Sequence, residues 1–280
     1  MVQKTIGIYS DTPSYSPFNE DTLIVEISCD HIACLVKNVK TANITAFEFF
    51  KLEVEGNDWD DIFYELRTNS GLLDKSYTAS KVYYNLAENV FIPSYKFTDA
   101  NANLFLTLVH GDDLKSTIFH DIIKSDVDFV NVYRVKNSLL ETVNRSFLSI
   151  ECHHIFTSIL NTVFEDESSS RTNLLKVQFY DAYFIATVLR NGKLQLLQRF
   201  DYQNAEDVLY HLLNITERFE LMAVRLQLSG FIDLQSSTYQ YLQQNFADIY
   251  IDEVNAEQPI SHKITSYPLH YLSPFFNLQA

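Results

Sequence analysis

The cysteines and the histidines beside them are the residues whose types could perform metal or nucleophilic chemistry. Cys29, His31 and Cys34 lie close enough in sequence to suggest a zinc site. However, no C-x-x-C pair accompanies them and the sequence offers no evident fourth ligand. Cys34 also falls on the apolar alternation of a predicted strand, which favours a buried thiol. We therefore expect no metal site at these residues.

The run Cys152-His153-His154 places a nucleophile type directly beside a base type. Helical periodicity over 153–164 predicts that this run opens a helix, where adjacent residues point about 100° apart and do not face each other. A Cys–His dyad is instead built from separate parts of a fold. The sequence also contains no G-x-S-x-G, Walker loop or H-E-x-x-H motif. We predict no catalytic residue, and whether the chain is an enzyme stays open.

Composition narrows the class of protein. The chain has 280 residues, 46% of them hydrophobic, which is enough for two domains with sizeable cores. Its net charge of −15 repels the phosphate backbone of nucleic acids, which bind to basic surfaces. We therefore expect no nucleic-acid partner. The sequence predicts no signal peptide, no membrane span and, with three cysteines, no disulfide framework. We therefore expect a cytoplasmic protein.

The elements that position these residues follow one order twice. The first copy predicts strands over 23–27, 32–36 and 44–54, a helix from 59 and a strand over 81–86; the second predicts strands over 174–179, 183–189 and 194–200, a helix from 205 and a strand over 223–228. The helix starts match in residue type position by position, 60–66 against 206–212. This match favours duplication, and the alternative is a coincidence of two common patterns.

The pattern divides the chain into four parts. We predict an irregular N-terminal arm over 1–20, a first domain over 21–164 with extra elements after residue 98, an acidic and Ser-rich linker over 165–172, and a second domain over 173–280. The second domain ends in an aromatic tail over 267–276, which is too apolar to remain in water. This tail either packs on its own body or docks on a partner or on a second copy in a homodimer.

A three-stranded meander followed by a helix and a parallel strand is similar to the ribonuclease-H-like unit. Doubled, this unit resembles the actin-like ATPase superfamily, which includes actin, sugar kinases and the pilus protein PilM. In length and order of elements the whole chain resembles a bacteroidete family of unknown function with this fold. The resemblance implies an α/β fold class, with two ribonuclease-H-like domains in an actin-like ATPase arrangement around a central cleft.

The two phosphate loops of this superfamily read Asp-x-Gly, on the first hairpin of each domain. In the first hairpin Glu26 stands at the Asp position and Ser28 at the Gly position. In the second, Gln178 replaces the carboxylate and Tyr180 replaces the glycine. An amide carries no charge to organise Mg²⁺, and a phenol blocks the close approach of phosphate to the backbone. These replacements imply that ATP hydrolysis is lost.

The adenosine loop of the superfamily usually carries two adjacent glycines. Here Ser229 and Gly230 precede Phe231, so one glycine remains, and Ser-Gly is also a common turn dipeptide. The chain has only six glycines, where average usage would give roughly 20. Loops that wrap phosphate depend on glycine because their backbones adopt positive φ and approach the ligand closely.

The resemblance also implies where a ligand would lie, outside the strand ends where loops converge. The candidates at this mouth are Glu26, Ser28, Cys29, Asp30, Gln178, Tyr180, Asp181, Ser229 and Gly230. We expect no cofactor and a non-catalytic scaffold that binds another protein or a peptide. The alternative is a divergent nucleotide-binding enzyme that uses Glu26 and Asp181 in place of the usual aspartates.

Overall fold

Runs of apolar and β-branched residues form most of the strands, and polar turns end them. The computed structural model describes residues 1–9, 21–41, 43–53, 58–123, 128–165, 173–254 and 267–278. These residues form two compact units. Unit 1 contains the described residues up to Asn161 together with Leu278, and unit 2 contains those of 162–254 and 267–277.

Unit 1 carries a six-stranded sheet in the order β1-β4-β3-β2-β5-β9 and a three-stranded sheet in the order β6-β8-β7. Its elements are β1 (Val2–Tyr9), β2 (Asp21–Ser28), β3 (His31–Asn38), β4 (Ile44–Leu52), α1 (Trp59–Asn69), β5 (Ala79–Asn85), β6 (Asn89–Pro93), a 3₁₀ turn (Ser94–Lys96), α2 (Ala102–His110), β7 (Ser116–Ile122), β8 (Phe129–Lys136), α3 (Asn137–Ser146) and β9 (Ile150–His154). Helix α4 (Ile155–Glu165) begins in unit 1, and its residues from Thr162 on belong to unit 2.

Strand β1 corrects the prediction of an irregular arm over 1–20. Residues 2–9 pair antiparallel with β4, from Val2 opposite Leu52 to Tyr9 opposite Ala46. The register shifts between Lys4 and Ile6, which breaks the two-residue alternation of buried side chains and hides the strand from a pattern search. Residues 10–20 lie outside the described part of the chain.

The core of unit 1 lies between one face of the larger sheet and the helices α1 and α3. Strand β2 is buried along its whole length, and Leu66 of α1 and Val143 of α3 are fully buried in the same cluster. The opposite face of this sheet carries Glu26, because its side chain alternates with those of Val25 and Ile27 in the core.

An insert separates β5 from its parallel neighbour β9 and contains the smaller sheet with α2. It begins at Asn89, earlier than the extra elements predicted after residue 98. The predicted helix over 153–164 also needs correction, because Ile150–His154 forms β9 and the helix starts at Ile155. Pairing of β9 with β5 fixes these residues as a strand, and periodicity alone did not reveal it.

Unit 2 repeats the strand order of unit 1. Its sheet runs β12-β11-β10-β13-β14, which matches the order β4-β3-β2-β5-β9 and has the same antiparallel and parallel pairs. The predicted repeat is therefore confirmed. The elements are β10 (Leu174–Phe179), β11 (Tyr183–Arg190), β12 (Lys193–Asp201), α5 (Ala205–Arg218), β13 (Arg225–Gly230), α6 (Ser237–Asn245), β14 (Asp248–Ile251) and α7 (Leu269–Phe276).

The matching helices of the two units bury the same positions. Leu66 and Leu212 are fully buried, whereas Tyr64 and Tyr210 are exposed on the outer face. Asn204 caps α5 by accepting a hydrogen bond from the backbone N–H of Asp207 at 2.9 Å, as its residue type predicts. Of the predicted linker over 165–172, Glu165 ends α4, and residues 166–172 lie outside the described part of the chain.

Candidate functional site

The first hairpin, formed by β2, β3 and the turn at 28–30, holds Glu26 in internal contacts. The Glu26 side chain is fully buried. Its Oε1 accepts a hydrogen bond from Nδ2 of Asn85 at 2.7 Å and lies 3.2 Å from Nε2 of His31. One oxygen of the carboxyl group that we predict at the magnesium-organising position is therefore engaged by partners from its own unit.

His31 is the residue whose role at this hairpin the sequence did not reveal. Its Nδ1 lies 2.8 Å from Oδ1 of Asp30, and its ring stacks on Phe49 with centroids 5.1 Å apart. Burial disfavours the charged ring, but hydrogen bonds to Asp30 and Glu26 outweigh it and raise the pKa of His31 to about 9. The His31 ring is therefore buried between the carboxyl groups of Glu26 and Asp30.

The other residues predicted at this hairpin have simpler settings. Ser28 is buried and its Oγ donates to Oδ1 of Asp30 at 2.6 Å, so the turn is closed by its own side chains. Cys29 is exposed at the tip of the turn. Ser28 therefore contacts Asp30, and His31 connects Asp30 to Glu26.

The second hairpin, formed by β10 and β11, buries Tyr180, which we predict at the position of the phosphate-loop glycine. Tyr180 is 1% exposed and its ring stacks on that of Tyr183, with centroids 4.6 Å apart. The ring of Phe275 from α7 is perpendicular to that of Tyr180, with centroids 6.1 Å apart. On the other side of the Tyr183 ring, the Arg199 guanidinium lies 3.5 Å from the centroid. Asp181 is exposed at the turn.

The third loop, Ser229–Phe231, keeps its glycine for a packing reason. Gly230 has φ +82°, and a Cβ at this position would lie 2.1 Å from the carbonyl oxygen of Phe179. The same carbonyl accepts a hydrogen bond from the N–H of Phe231 at 2.9 Å. Close approach of β13 to β10 therefore requires glycine here whether or not a ligand binds.

The aromatic tail packs on unit 2, its own body. It forms α7, whose Leu272, Phe275 and Phe276 are buried. Phe275 lies 5.8 Å from the ring of Phe231, and Nε2 of buried His270 donates to the carbonyl of Ile232 at 2.9 Å. Helix α7 therefore covers both the second hairpin and the third loop.

Some of the predicted site residues carry a buried polar atom with no hydrogen-bond partner among the described residues, and three such atoms bear on the candidate site. These atoms are Oε1 of Gln178, Oγ of Ser229 and Oε2 of Glu26. Gln178 and Ser229 are neighbours in the parallel register of β10 and β13, so their side chains lie on one face. Each unpaired atom costs stability of about 1–3 kcal/mol unless something else satisfies it. Convergence of the residues of the two units at one mouth remains a prediction.

The cysteines show no arrangement for catalysis. Cys34 is fully buried, as predicted, and burial raises the pKa of its thiol. Cys152 and His153 lie on a strand, so their side chains point to opposite faces of the sheet. The sequence predicted that they face apart too, but because of a helix. Burial also raises the pKa of the Cys152 thiol. Within the described ranges, no group of three His, Cys, Asp or Glu residues is arranged to hold a metal ion.

Comparison with known families decides the relationship of this chain. A family model described as "Protein of unknown function (DUF3822)" matches residues 14–249. The chain belongs to this family. No curated protein matches this DUF3822 chain at a significant level. Within the described residues, no helix is long and apolar enough to cross a membrane.

Solved structures show the fold of this DUF3822 protein. A protein of unknown function with an actin-like ATPase fold from Bacteroides thetaiotaomicron is 17% identical, with a TM-score of 0.72 over 86% of this chain and 94% of that one. A chain of the PilM–PilN type IV pilus biogenesis complex is 10% identical, with a TM-score of 0.62 over 93% and 96%. The ethanolamine utilization protein EutJ from Carboxydothermus hydrogenoformans is 7% identical, with a TM-score of 0.50 over 96% and 91%. The predicted actin-like ATPase fold is confirmed.

Proposed function

We propose that this DUF3822 protein is a non-catalytic actin-like scaffold that binds another protein or a peptide. The observation that carries the proposal is the position of Tyr180, which is buried between Tyr183 and Phe275 at the phosphate-loop glycine position. Phosphoryl transfer needs metal, phosphate and water positioned together. A hairpin covered by the chain's own C-terminal helix does not offer bare backbone N–H groups to a phosphate.

The first hairpin supports the same proposal. Magnesium organised by Glu26 would compete with the Asn85 amide and with a cationic His31, both already bound to the same carboxyl oxygen. If magnesium took this carboxyl oxygen, the buried Asn85 amide and His31 ring would lose their partner, which is costly. The contacts at both hairpins therefore favour a structural role for residues that bind nucleotide elsewhere in the superfamily.

An exposed apolar surface supports a protein partner. Leu104 and Leu108 lie four residues apart on α2 and are 58% and 72% exposed, and nearby in the chain Leu114 is 96% exposed. Neighbouring exposed leucines of this kind mark interaction surfaces more often than isolated ones do. The similar structure from the PilM–PilN complex comes from a protein assembly. We assign this leucine surface, Leu104, Leu108 and Leu114, to a partner protein.

Nucleotide assays test the non-catalytic part. We expect ATP, with or without Mg²⁺, to leave the melting temperature of the full chain unchanged and to release no phosphate. A rise of several degrees, with phosphate release that Glu26→Ala abolishes, would instead establish the nucleotide-binding enzyme. The Glu26→Gln variant serves as a second check because it keeps the shape of the side chain.

A matched pair of surface variants tests the partner. We expect a protein from the native cells to co-purify in a fixed ratio with the wild type and with Met222→Asp, which changes an 81% exposed residue of unit 2. The same protein should be lost with Leu104→Asp/Leu108→Asp. Retention with this double variant contradicts the assignment of the surface. Light scattering provides the other check, because a dimer that the double variant dissociates would show that a second copy covers it.

A further inference from the structure

Unit 1 contains a pocket of about 440 Å³ on the face of its larger sheet that carries Glu26. The floor comes from β5 and β9, one wall from the end of β7 and the other from the first turns of α4. Its volume lies in the range of pockets that bind small molecules, and most of the side chains that line it carry a polar atom. Neither hairpin turn contributes a residue to it.

The floor of the pocket is a square of four side chains. Lys81 pairs in register with Glu151, and two residues further along Tyr83 pairs with His153. All four therefore lie on one face of the sheet. Nζ of Lys81 lies 3.5 Å from Oε2 of Glu151, and these side chains are 22% and 65% exposed. A pair this open contributes little on its own, about 0–1 kcal/mol, so a ligand can compete for both members.

The β7 wall fixes the orientation of His153. Oδ1 of buried Asp121 lies 3.2 Å from Nδ1 of His153, and its Oδ2 accepts the backbone N–H of His154 at 2.7 Å. Both oxygens of Asp121 are thus engaged. Nδ1 of His153 is held on the protein side, which leaves Nε2 as the ring nitrogen for a ligand, and the side chain is 39% exposed.

The charges of the lining select the class of ligand. A simple anion that pairs with Lys81 would face Glu151, and a simple cation that pairs with Glu151 would face Lys81. An apolar ligand would remove water from both charges and leave them only each other as partners, which is costly. A ligand with a carboxylate and an ammonium on neighbouring atoms satisfies both at once. The remaining lining, with His153 on the floor and Ser158 and Asn161 on the α4 wall, suits a polar side chain.

We propose that this pocket binds a free amino acid with a polar side chain, its carboxylate on Lys81 and its ammonium on Glu151. The oriented Nε2 of His153 hydrogen-bonds the side chain. This site does not depend on the proposed scaffold function, since it uses neither the two hairpins nor the leucine surface.

Calorimetric titration of the full chain with each of the twenty standard amino acids tests the proposal. We expect at least one polar amino acid to bind and to raise the melting temperature. Glu151→Gln and Lys81→Met should each weaken its affinity by about tenfold or more. The matched control is Arg190→Met, because Arg190 and Glu220 form an exposed ion pair of the same length, 3.5 Å, in unit 2. This control should leave the affinity unchanged.

Single-charge ligands provide the decisive comparison. We expect succinate and ethylamine, which carry only one sign of charge, to bind at least about tenfold more weakly than the best amino acid. The proposal is overturned if no amino acid binds at about 10 mM, a concentration that would reveal even weak affinity. Equal binding of succinate, or equal binding by the wild type and Glu151→Gln, overturns it as well. None of these results bears on nucleotide or partner binding, so the proposed function is tested separately.

Discussion

Nε2 of His31 lies 3.2 Å from Oε1 of Glu26, with both side chains buried in the sheet of unit 1. The sequence predicts a metal-organising carboxylate at Glu26, and in the structure its neighbour is the buried ring of His31. This contact makes the stability of the protein depend on pH.

The folded pKa of His31 is about 9, raised from an ordinary value of 6.5. Its contribution to stability is therefore fully present below about pH 6.5 and is lost as the pH rises through about 9. We expect the free energy of unfolding to fall by roughly 3 kcal/mol across this window. Urea unfolding at a series of pH values measures this change.

His31→Gln should remove this pH dependence, whereas the control His120→Gln should retain it, because the His120 side chain is 42% exposed. A wild type whose stability stays level between these pH values would show that His31 carries no proton there.

Gly230→Ala and Gly111→Ala separate backbone strain from steric overlap. The two glycines have nearly equal φ angles, +82° and +81°, but a Cβ on Gly230 would overlap the carbonyl of Phe179, whereas one on Gly111 meets nothing within 4 Å. We expect Gly111→Ala to cost about 1–3 kcal/mol and Gly230→Ala to cost several kcal/mol more, or to prevent folding. Chemical denaturation compares the two, and equal costs would contradict the overlap.

Ser229→Ala and Ser70→Ala differ in the hydrogen bonds they remove. Oγ of Ser229 is buried without a hydrogen-bond partner in the described part of the chain, whereas that of Ser70 donates to Glu48 at 2.5 Å and accepts the N–H groups of Leu72 and Leu73. We expect Ser229→Ala to be neutral or stabilising and Ser70→Ala to cost about 1–3 kcal/mol. Thermal unfolding checks both, and a strongly destabilising Ser229→Ala would reveal a partner for this hydroxyl.

Phe275→Ala tests the cover that α7 places on the second hairpin. Phe275 is 1% exposed and contacts the rings of Tyr180 and Phe231. We expect a loss of about 3–5 kcal/mol, with faster hydrogen exchange at residues 180–183. The control Met222→Ala should change stability by less than about 0.5 kcal/mol because its side chain is exposed. Unchanged exchange at the hairpin would mean that α7 does not protect it.

Local signals in the sequence were sufficient to predict the strands that are buried and regular. Strands β2, β3, β10 and β11 consist of dense apolar runs bounded by polar turns, and their positions were predicted closely. Helix α2 was missed because it is apolar over most of its surface: Leu104 and Leu108 lie on its exposed face, which weakens the contrast between the two faces. Strand β9 was missed because only its pairing with β5, far away in the chain, distinguishes it from a helix start.

The site shows the same division between local and distant causes. The prediction that Ser28 and Tyr180 replace two phosphate-loop glycines rests on residue type and local order, which the sequence displays. Glu26 and His31 lie on the two sides of a turn, so their contact could be recognised only from the three-dimensional structure. The contact between Tyr180 and Phe275 joins residues that are distant in the chain, which no local pattern specifies.

The parallel pairing of β5 with β9 affects how the protein is made. Residues 86–149 separate these strands in the chain, so the edge of β5 stays unpaired on the ribosome until the insert has been synthesised. An uncovered strand edge can pair with other chains and lead to aggregation. In unit 2 the corresponding strands, β13 and β14, are separated only by a short segment around α6. During synthesis, the edge of β5 therefore stays open for longer than the edge of β13.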